Sequence, residues 1–321
     1  MIKEKQQGLV AILSANIIFG LNIPVTKAIV GHWMTPMGYT TIRMIFGTFV
    51  FWGIGFLLKR ENVQRKDLLI LFVGGLMGFL GTQFLFSQSL KYTTPVVFSL
   101  LMSMTPVVVL ILSALFLKEV IPNRKITGIV ISISGAALII LLGRTQEQQG
   151  SNNALGLIFA TLCVFCYAGY LILTRTISVK YAPVTVAKWM FLFSAMLALP
   201  FSYSGLQEEK MFSADATGMA FSLLAFSLLF STTLAFFLMP FALKRLEAST
   251  VSIFMNVQPV VASVIAIIIG QDFLSWDKPL AVVCVLTGVY LVTQPNTRHA
   301  EKQKKRVALR WVSSVNRLRK Q

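Results

Sequence analysis

Two segments of the sequence, KYTTPVVFSLLMSMTPVVVLILSALFLKE (91–119) and KRLEASTVSIFMNVQPVVASVIAIIIGQD (244–272), align without a gap at a constant offset of 153 residues. The paired residues include Lys91 with Lys244, Ser99 with Ser252, Met102 with Met255, Pro106 with Pro259 and Glu119 with Asp272. Apolar strings often match by chance, whereas polar residues seldom stay in register as well. The two segments therefore predict an internal repeat that divides the chain into two halves.

The composition is that of a membrane protein. Of 321 residues, 55% are hydrophobic and 13% are charged, where a soluble domain has about 25% charged residues. Ten apolar segments are long enough to span a bilayer, at roughly 8–30, 36–58, 67–90, 95–117, 125–143, 155–176, 184–204, 215–243, 249–270 and 277–294. Because backbone groups in lipid must be paired within the segment, we expect helices.

The predicted fold is an all-α membrane protein in which residues 8–143 and 155–294 form two five-helix repeats. An odd number of spans per repeat makes the second repeat enter the membrane in the opposite orientation to the first. Inverted repeats around a central cavity are typical of secondary transporters. The prediction is therefore ten transmembrane helices in two inverted repeats.

The net charge of +17 would be compatible with nucleic-acid binding, but its distribution indicates membrane sidedness. Lys and Arg concentrate at the N-terminus, in alternate connections and in the C-terminal tail. The other connections hold few cations and contain Glu208, Glu209, Asp215, Asp272 and Asp277. By the positive-inside rule, both termini lie in the cytoplasm. We expect a multi-pass protein of the cell membrane, the inner membrane in a bacterium, with no nucleic-acid partner.

The tail, residues 295–321, is strongly basic. One helical face would carry Ala308, Trp311, Val312, Val315 and Leu318, which is the pattern of an interfacial helix on an anionic leaflet. A solvated basic tail without regular structure is the alternative.

Prolines and small polar residues interrupt the apolar segments. Pro24, Pro106 and Pro259 each remove a backbone hydrogen bond within a predicted span, so we expect hinges there. Asn22 lies two residues before Pro24, in the sequence FGLNIPVTK (19–27). The other polar candidates share a helical stripe with a proline, namely Ser99 and Ser103 in one half and Ser252 and Asn256 in the other. These residues either line a substrate cavity or hold neighbouring helices together.

Two cations lie well inside predicted spans, and a third, Lys188, lies at the start of one, near the cytoplasm. A cation inside a span costs roughly 2.5–3.5 kcal/mol on insertion scales unless it is paired or hydrated. Lys27 either extends to the outer headgroups or acts at the substrate site. Arg43, whose planar guanidinium suits a carboxylate or phosphate, either binds substrate at a site or gate, or holds backbone carbonyls. No Asp or Glu lies clearly inside a span.

The motifs FGLNIPVTK (19–27), PVVVLILSALFLKE (106–119) and PVVASVIAIIIGQD (259–272), together with Arg43, resemble EamA-type permeases of the drug/metabolite transporter superfamily. The resemblance extends from about residue 8 to 294. It implies ten helices in inverted repeats, a small-molecule substrate and no metal or organic cofactor. The chain departs from the family pattern at Phe19, where Trp is usual, and at Lys118 and Gln271, where Gly is usual.

The resemblance and the intramembrane cations together predict a secondary transporter that works by alternating access. Cations without acids favour substrates with a carboxylate, so an exporter of amino acids or related carboxylates is the first choice. A carrier of drugs, nucleotide-sugars or other organic solutes is the alternative, and a non-transporting scaffold is a distant one. The sequence contains neither an HExxH nor a GxSxG motif, which disfavours an enzyme. Proton coupling and facilitated movement both remain open.

Overall fold

The computed structural model describes residues 2–93, 98, 101–119, 121–142, 153–203, 205–206, 209–213, 216–268 and 277–293. The predictions for Ser99 and for the basic tail, 295–321, lie outside these residues. Within them the chain forms helices joined by short connections, without a β-strand.

The helices of the first half are α1 (Ile2–His32), α2 (Pro36–Leu57), α3 (Arg65–Gly74), the π-helix π1 (Gly75–Gly81), α4 (Thr82–Tyr92), α5 (Thr105–Phe116) and α6 (Asn123–Leu142). The second half contains α7 (Asn153–Ser178), α8 (Pro183–Ser202), a 3₁₀ turn (Lys210–Phe212), α9 (Gly218–Phe226), the π-helix π2 (Ser227–Ala235), α10 (Phe236–Arg245), α11 (Ala248–Ile253), a 3₁₀ turn (Phe254–Asn256), α12 (Val257–Ile268) and α13 (Asp277–Thr293).

Six of the helical runs in the described residues are long and apolar enough to cross a membrane. They are Lys3–His32, Pro36–Leu57, Arg65–Tyr92, Ala154–Ser178, Pro183–Ser202 and Gly218–Arg245. Three more apolar helices are shorter, Thr105–Phe116, Ala248–Val261 and Val283–Val292. The protein is therefore a multi-pass membrane protein, and the described residues account for six full-length spans of the ten predicted.

Irregularities in the helices recur at the same offset as the sequence repeat. The offset of 153 maps π1 onto residues 228–234, which lie within π2. The predicted span 249–270 is broken by the 3₁₀ turn at Phe254–Asn256, and the chain also leaves the α-helix at Ser103–Met104, before α5. Equivalent positions in the two halves thus carry equivalent breaks.

These breaks change the structural role of two prolines. Pro106 is the second residue of α5, and Pro259 is the third residue of α12. An N–H in the first turn of a helix has no partner within that helix, so proline is tolerated there. The two prolines therefore lie in first turns, where the missing N–H costs less than in mid-helix, and their role as hinges stays a prediction. Pro24 differs, because α1 continues through it to His32.

The two halves pack on each other through equivalent helices. Helix α1 packs on α10, π2 and α12, and α7 packs on α4, π1 and α5. Equivalent helices also pack on each other, α2 on α8 and α6 on α13. The last pair crosses very closely, since a Cβ added at Gly128 would lie 2.7 Å from the carbonyl oxygen of Gly288. The interior of the protein is therefore formed where helices of one half meet helices of the other half.

Polar contacts define the two ends of the bundle. The basic end contains the α2–α3, α5–α6, α7–α8 and α10–α11 connections. There Glu119, which follows α5, accepts hydrogen bonds from the Ala248 N–H and the Ser249 hydroxyl at the start of α11. At the opposite end, Glu209 accepts hydrogen bonds from the N–H and hydroxyl of Thr35, the N-cap of α2.

Candidate substrate cavity

A cavity of about 50 Å³ lies between the two halves. Its lining residues come from α1, α4, α7, the α5 and α12 regions and the 3₁₀ turn before α12, and they are Phe19, Asn22, Ile23, Thr82, Gln83, Phe86, Phe98, Met102, Cys163, Tyr167, Met255 and Gln258. A buried water needs roughly 10–15 Å³ of such space and several polar partners. The cavity therefore has room for a few water molecules, enclosed mainly by aromatic and aliphatic side chains.

The polar groups of the lining belong mostly to buried side-chain amides. The Asn22 side-chain nitrogen donates to the Thr26 hydroxyl over 3.1 Å, and its side-chain oxygen has no hydrogen-bond partner. Across the cavity, the Gln258 side-chain nitrogen donates to the Asn16 side-chain oxygen over 2.8 Å. An unpartnered buried oxygen is costly in isolation. The Asn22 oxygen is therefore a ready acceptor for a solute or for water.

Arg43 lies beside the cavity and is completely buried. Its Nε donates to Thr232 Oγ1 over 2.8 Å, and its Nη2 donates to Ser231 Oγ over 3.0 Å, both on π2. Its Nη1 donates to the side-chain oxygen of Gln83, a residue of the cavity lining. All three acceptors are neutral, and in the described part of the chain no carboxylate forms a salt bridge with Arg43.

A chain of hydroxyl groups connects Asn22 to the surroundings of Arg43. Thr26, the acceptor of the Asn22 amide, lies 3.0 Å from the Tyr39 hydroxyl, which is hydrogen-bonded in turn to Ser227 at the start of π2. The Arg43 guanidinium carbon lies 5.3 Å from the centre of the Tyr39 ring. Aromatic rings attract cations, but they do not cancel the charge. The site is therefore a buried, net positive polar network at the edge of an aromatic cavity.

Among the other residues predicted for the site, Lys27 contacts the end of a helix. Its ammonium group donates to the carbonyl oxygens of Leu90 at 2.6 Å and Thr93 at 3.0 Å, at the C-terminus of α4. A cation there interacts favourably with the helix dipole and with the unpaired terminal carbonyls. Lys27 thus joins α1 to α4 at the opposite end of the bundle from the basic end.

Three further predicted polar residues, Ser103, Ser252 and Asn256, are buried, and none of the three lines the cavity. Ser103 follows the lining residue Met102. The Ser252 hydroxyl donates to the Ser249 carbonyl over 3.1 Å, and the Asn256 side-chain nitrogen donates to Ser132 Oγ over 3.0 Å. Asn256 therefore connects the 3₁₀ turn to α6.

The sequence prediction omitted two glutamines of the cavity. Gln83 receives the Arg43 hydrogen bond and Gln258 pairs with Asn16, and both lie inside predicted spans. A side-chain amide in a span is rare enough to mark a helix contact or a site. The polarity of Gln83 and Gln258 was therefore the signal in the sequence that could have identified them as site residues. The sequence could not supply their proximity to Arg43 and Asn16, since Gln83 and Arg43 are 40 residues apart and Gln258 and Asn16 are 242 residues apart.

Comparison with known proteins identifies the family. The sequence model of the EamA-like transporter family matches the chain twice, at residues 6–141 and 154–294. The chain belongs to the EamA-like transporter family. This confirms the resemblance found in the motifs, and it makes the protein a membrane transporter of two-repeat architecture.

The relatives of this EamA-like transporter extend over most of its length. The uncharacterized transporter YetK of Bacillus subtilis is 26% identical over 317 residues, which cover 95% of this chain and 93% of that protein. An uncharacterized transporter of Archaeoglobus fulgidus is 25% identical over 82% of this chain and 90% of its own. A crystal structure that is 18% identical covers 91% of this chain with a TM-score of 0.71, which supports the fold alone.

Proposed function

We propose that this EamA-like transporter is a secondary transporter in which two inverted repeats alternate access to the central cavity. The equivalent contacts of α1 and α7 with the opposite half support a pseudo-twofold relation between the repeats. Alternating access then follows as one repeat moves against the other around a fixed site. The breaks before Pro106 and Pro259, and the bend expected at Pro24, provide the hinges.

The proposed substrate is a small carboxylate-bearing solute, with amino acids as the first choice and export as the direction. The observation that carries this proposal is the buried charge of Arg43, whose three hydrogen-bond acceptors are all neutral. A buried cation without a counter-charge is unfavourable, and an anion brought to the cavity would compensate it. The aromatic lining suits the apolar part of such a solute.

Within this site we assign different roles to the candidate residues. Arg43 supplies the charge, and Asn22 supplies a free acceptor oxygen for a solute N–H. Lys27, Ser103, Ser252 and Asn256 support the lining through neighbouring helices, and Ser99 keeps the role predicted from the repeat. Gln83 joins the set as the contact between Arg43 and the cavity.

Counterflow in proteoliposomes tests the substrate class. Purified protein is preloaded with unlabelled amino acid, and exchange with external labelled amino acids is measured across a panel of side chains. Arg43→Gln should reduce exchange at least tenfold, because it removes the buried charge. Lys188→Gln is the matched control, since Lys188 is a cation of α8 whose ammonium lies over the Trp52 ring, 5.2 Å from its centre. It should exchange normally.

The panel also separates the proposal from its alternative. Exchange of amino acids that requires Arg43 but not Lys188 supports the carboxylate site. Exchange of nucleotide-sugars or uncharged drugs without exchange of any amino acid would refute the substrate class while leaving a transporter. Equal exchange by the wild type and Arg43→Gln would refute the assignment of Arg43.

A further inference from the structure

One face of α7 continues from the cavity towards the basic end. Cys163 and Tyr167 line the cavity. Tyr170, Thr174 and Ser178 follow at spacings of three and four residues, which keeps them on the same side of the helix. All five side chains are buried, and Thr174 is completely inaccessible. The face ends where α7 ends, beside the α7–α8 connection.

The hydroxyl groups on this face beyond Tyr167 have no hydrogen-bond partner on another helix. Those of Tyr170 and Thr174 interact only with each other, and that of Ser178 has no partner in the described residues. Ser and Thr in helices usually donate to a carbonyl of the preceding turn, and on the same helix Thr161 and Thr176 do so. Buried polar groups without partners are rare and unfavourable. Three successive hydroxyls that have no partner on another helix indicate a surface that is polar for a purpose other than packing.

Aromatic side chains lie between the cavity and the lower part of this face, Tyr170, Thr174 and Ser178. The ring of Phe79, in π1, lies 5.7 Å from the ring of Tyr170 and 4.4 Å from the rings of Phe191 and Phe236. These three phenylalanines are almost completely buried. The Phe236 ring also lies 5.7 Å from that of Phe19, a residue of the cavity lining. The three rings therefore form an apolar barrier between the cavity and the Tyr170 side chain.

Helix α3 and π1 cover the face at Tyr170 and Thr174. A Cβ added at Gly78 would lie 2.8 Å from the Cβ of Tyr170 and closer still to its ring, and a Cβ added at Gly74 would lie 4.0 Å from the Thr174 hydroxyl. The cover formed by α3 and π1 therefore has no side chain at Gly74 or Gly78, the positions that lie beside Thr174 and Tyr170. It also contains a π-helix, an irregularity that is frequent at functional sites. Sliding or tilting of α3 and π1 would uncover the hydroxyls without breaking a hydrogen bond to them.

A polar tether fastens this cover at the basic end. Asp67, at the start of α3, accepts hydrogen bonds from Lys180 over 2.9 Å and from the Tyr181 hydroxyl over 2.8 Å, and both residues belong to the α7–α8 connection. The hydrogen bond to Asp67 raises the pKa of Lys180 above its ordinary value, so the pair remains charged at neutral pH. When the tether opens, water can solvate the Asp67 carboxylate, the Lys180 ammonium and the Tyr181 hydroxyl separately.

We propose that the face of Tyr170, Thr174 and Ser178 is the inner half of the solute pathway, closed here by α3 and π1 and opened when the Asp67 tether releases. The inference rests on the proposed alternating access, and it takes the basic end as cytoplasmic. In the open state the three hydroxyls gain water or polar groups of the solute as partners. A polar solute that has passed the apolar barrier of Phe79, Phe191 and Phe236 thereby reaches a surface that can form hydrogen bonds with it.

Cysteine accessibility tests the proposal. Thr174→Cys and Ser178→Cys are made in a chain whose native cysteines, Cys163, Cys166 and Cys284, are replaced by alanine. Inside-out vesicles are treated with a charged, membrane-impermeant maleimide. Thr176→Cys is the matched control, because it is the same residue type on the same helix but lies on the outer side of this apolar span. That side faces lipid, which a charged maleimide does not enter. Cysteines at 174 and 178 should react at least tenfold faster than the cysteine at 176.

A second variant tests the tether. Asp67→Asn, combined with Thr174→Cys, should raise the labelling rate severalfold, since the amide cannot pair with the Lys180 charge. Labelling at 174 and 178 no faster than at 176, with or without Asp67→Asn, overturns the proposal. Labelling does not require the solute to be known. Fast labelling together with no exchange of any amino acid would therefore support the pathway while refuting the proposed substrate class.

Discussion

Substitution of Gln83 by glutamate provides a direct test of the buried charge. The change is nearly isosteric, and the oxygen that accepts the Arg43 hydrogen bond stays in place. The new carboxylate would pair with the guanidinium and bring the net charge of the network from positive to neutral. A solute carboxylate that touches residue 83 would then meet no net attraction from the protein.

The size of the effect follows from the geometry. Two hydrogen bonds and one side-chain amide separate Arg43 from a solute carboxylate on Gln83, a distance of about 7 Å. At an effective dielectric constant of about 20, two unit charges at that distance interact with about 2.4 kcal/mol. Loss of this attraction corresponds to roughly a 50-fold weaker binding of the carboxylate. An uncharged group at the same position should be nearly unaffected.

The assay is competition in counterflow between an amino acid and its primary amide. The wild type should prefer the acid, and Gln83→Glu should lose about 50-fold of that preference. Gln83→Met is the matched control, because it removes the amide and keeps the Arg43 charge, so most of the preference should remain. A preference within threefold of the wild type in Gln83→Glu, or an equal loss in Gln83→Met, would refute the electrostatic reasoning.

Two further predictions concern stability, measured by thermal unfolding in detergent. Gly78→Ala should destabilise the protein by about 1–3 kcal/mol, because its Cβ would overlap Tyr170. The control Gly53→Ala should not destabilise the protein, because the space around Gly53 is open. Equal melting temperatures of the two variants would contradict the packing argument. Lys125→Met should cost about 3 kcal/mol, since it removes the cation that pairs with Glu247 and lies 3.9 Å from the buried carboxylate of Glu119. An unchanged melting temperature would mean that water or the neighbouring hydrogen bonds compensate that carboxylate.

The sequence by itself determined the class of the protein and its division into halves. Long apolar segments leave helices as the practical choice, because lipid offers no hydrogen bonds to the backbone. The offset of 153 residues predicted the repeat, and the two π-helices recur at that offset. Local signals also made Asn22 and Arg43 candidates for the site, because a polar group in an apolar segment requires a partner.

Only the tertiary structure decided which of these polar groups meet. Arg43 finds its partners 40, 188 and 189 residues away, on helices that approach each other only in the folded bundle. Lys27 joins the end of α4, and Asn256 joins α6, where the sequence left a substrate site equally open. Helical periodicity fixes which residues share a face, but in segments that are apolar all round it does not fix which face turns inward. That choice depends on the packing of helices distant in the chain, and it determines which polar groups lie together at the cavity.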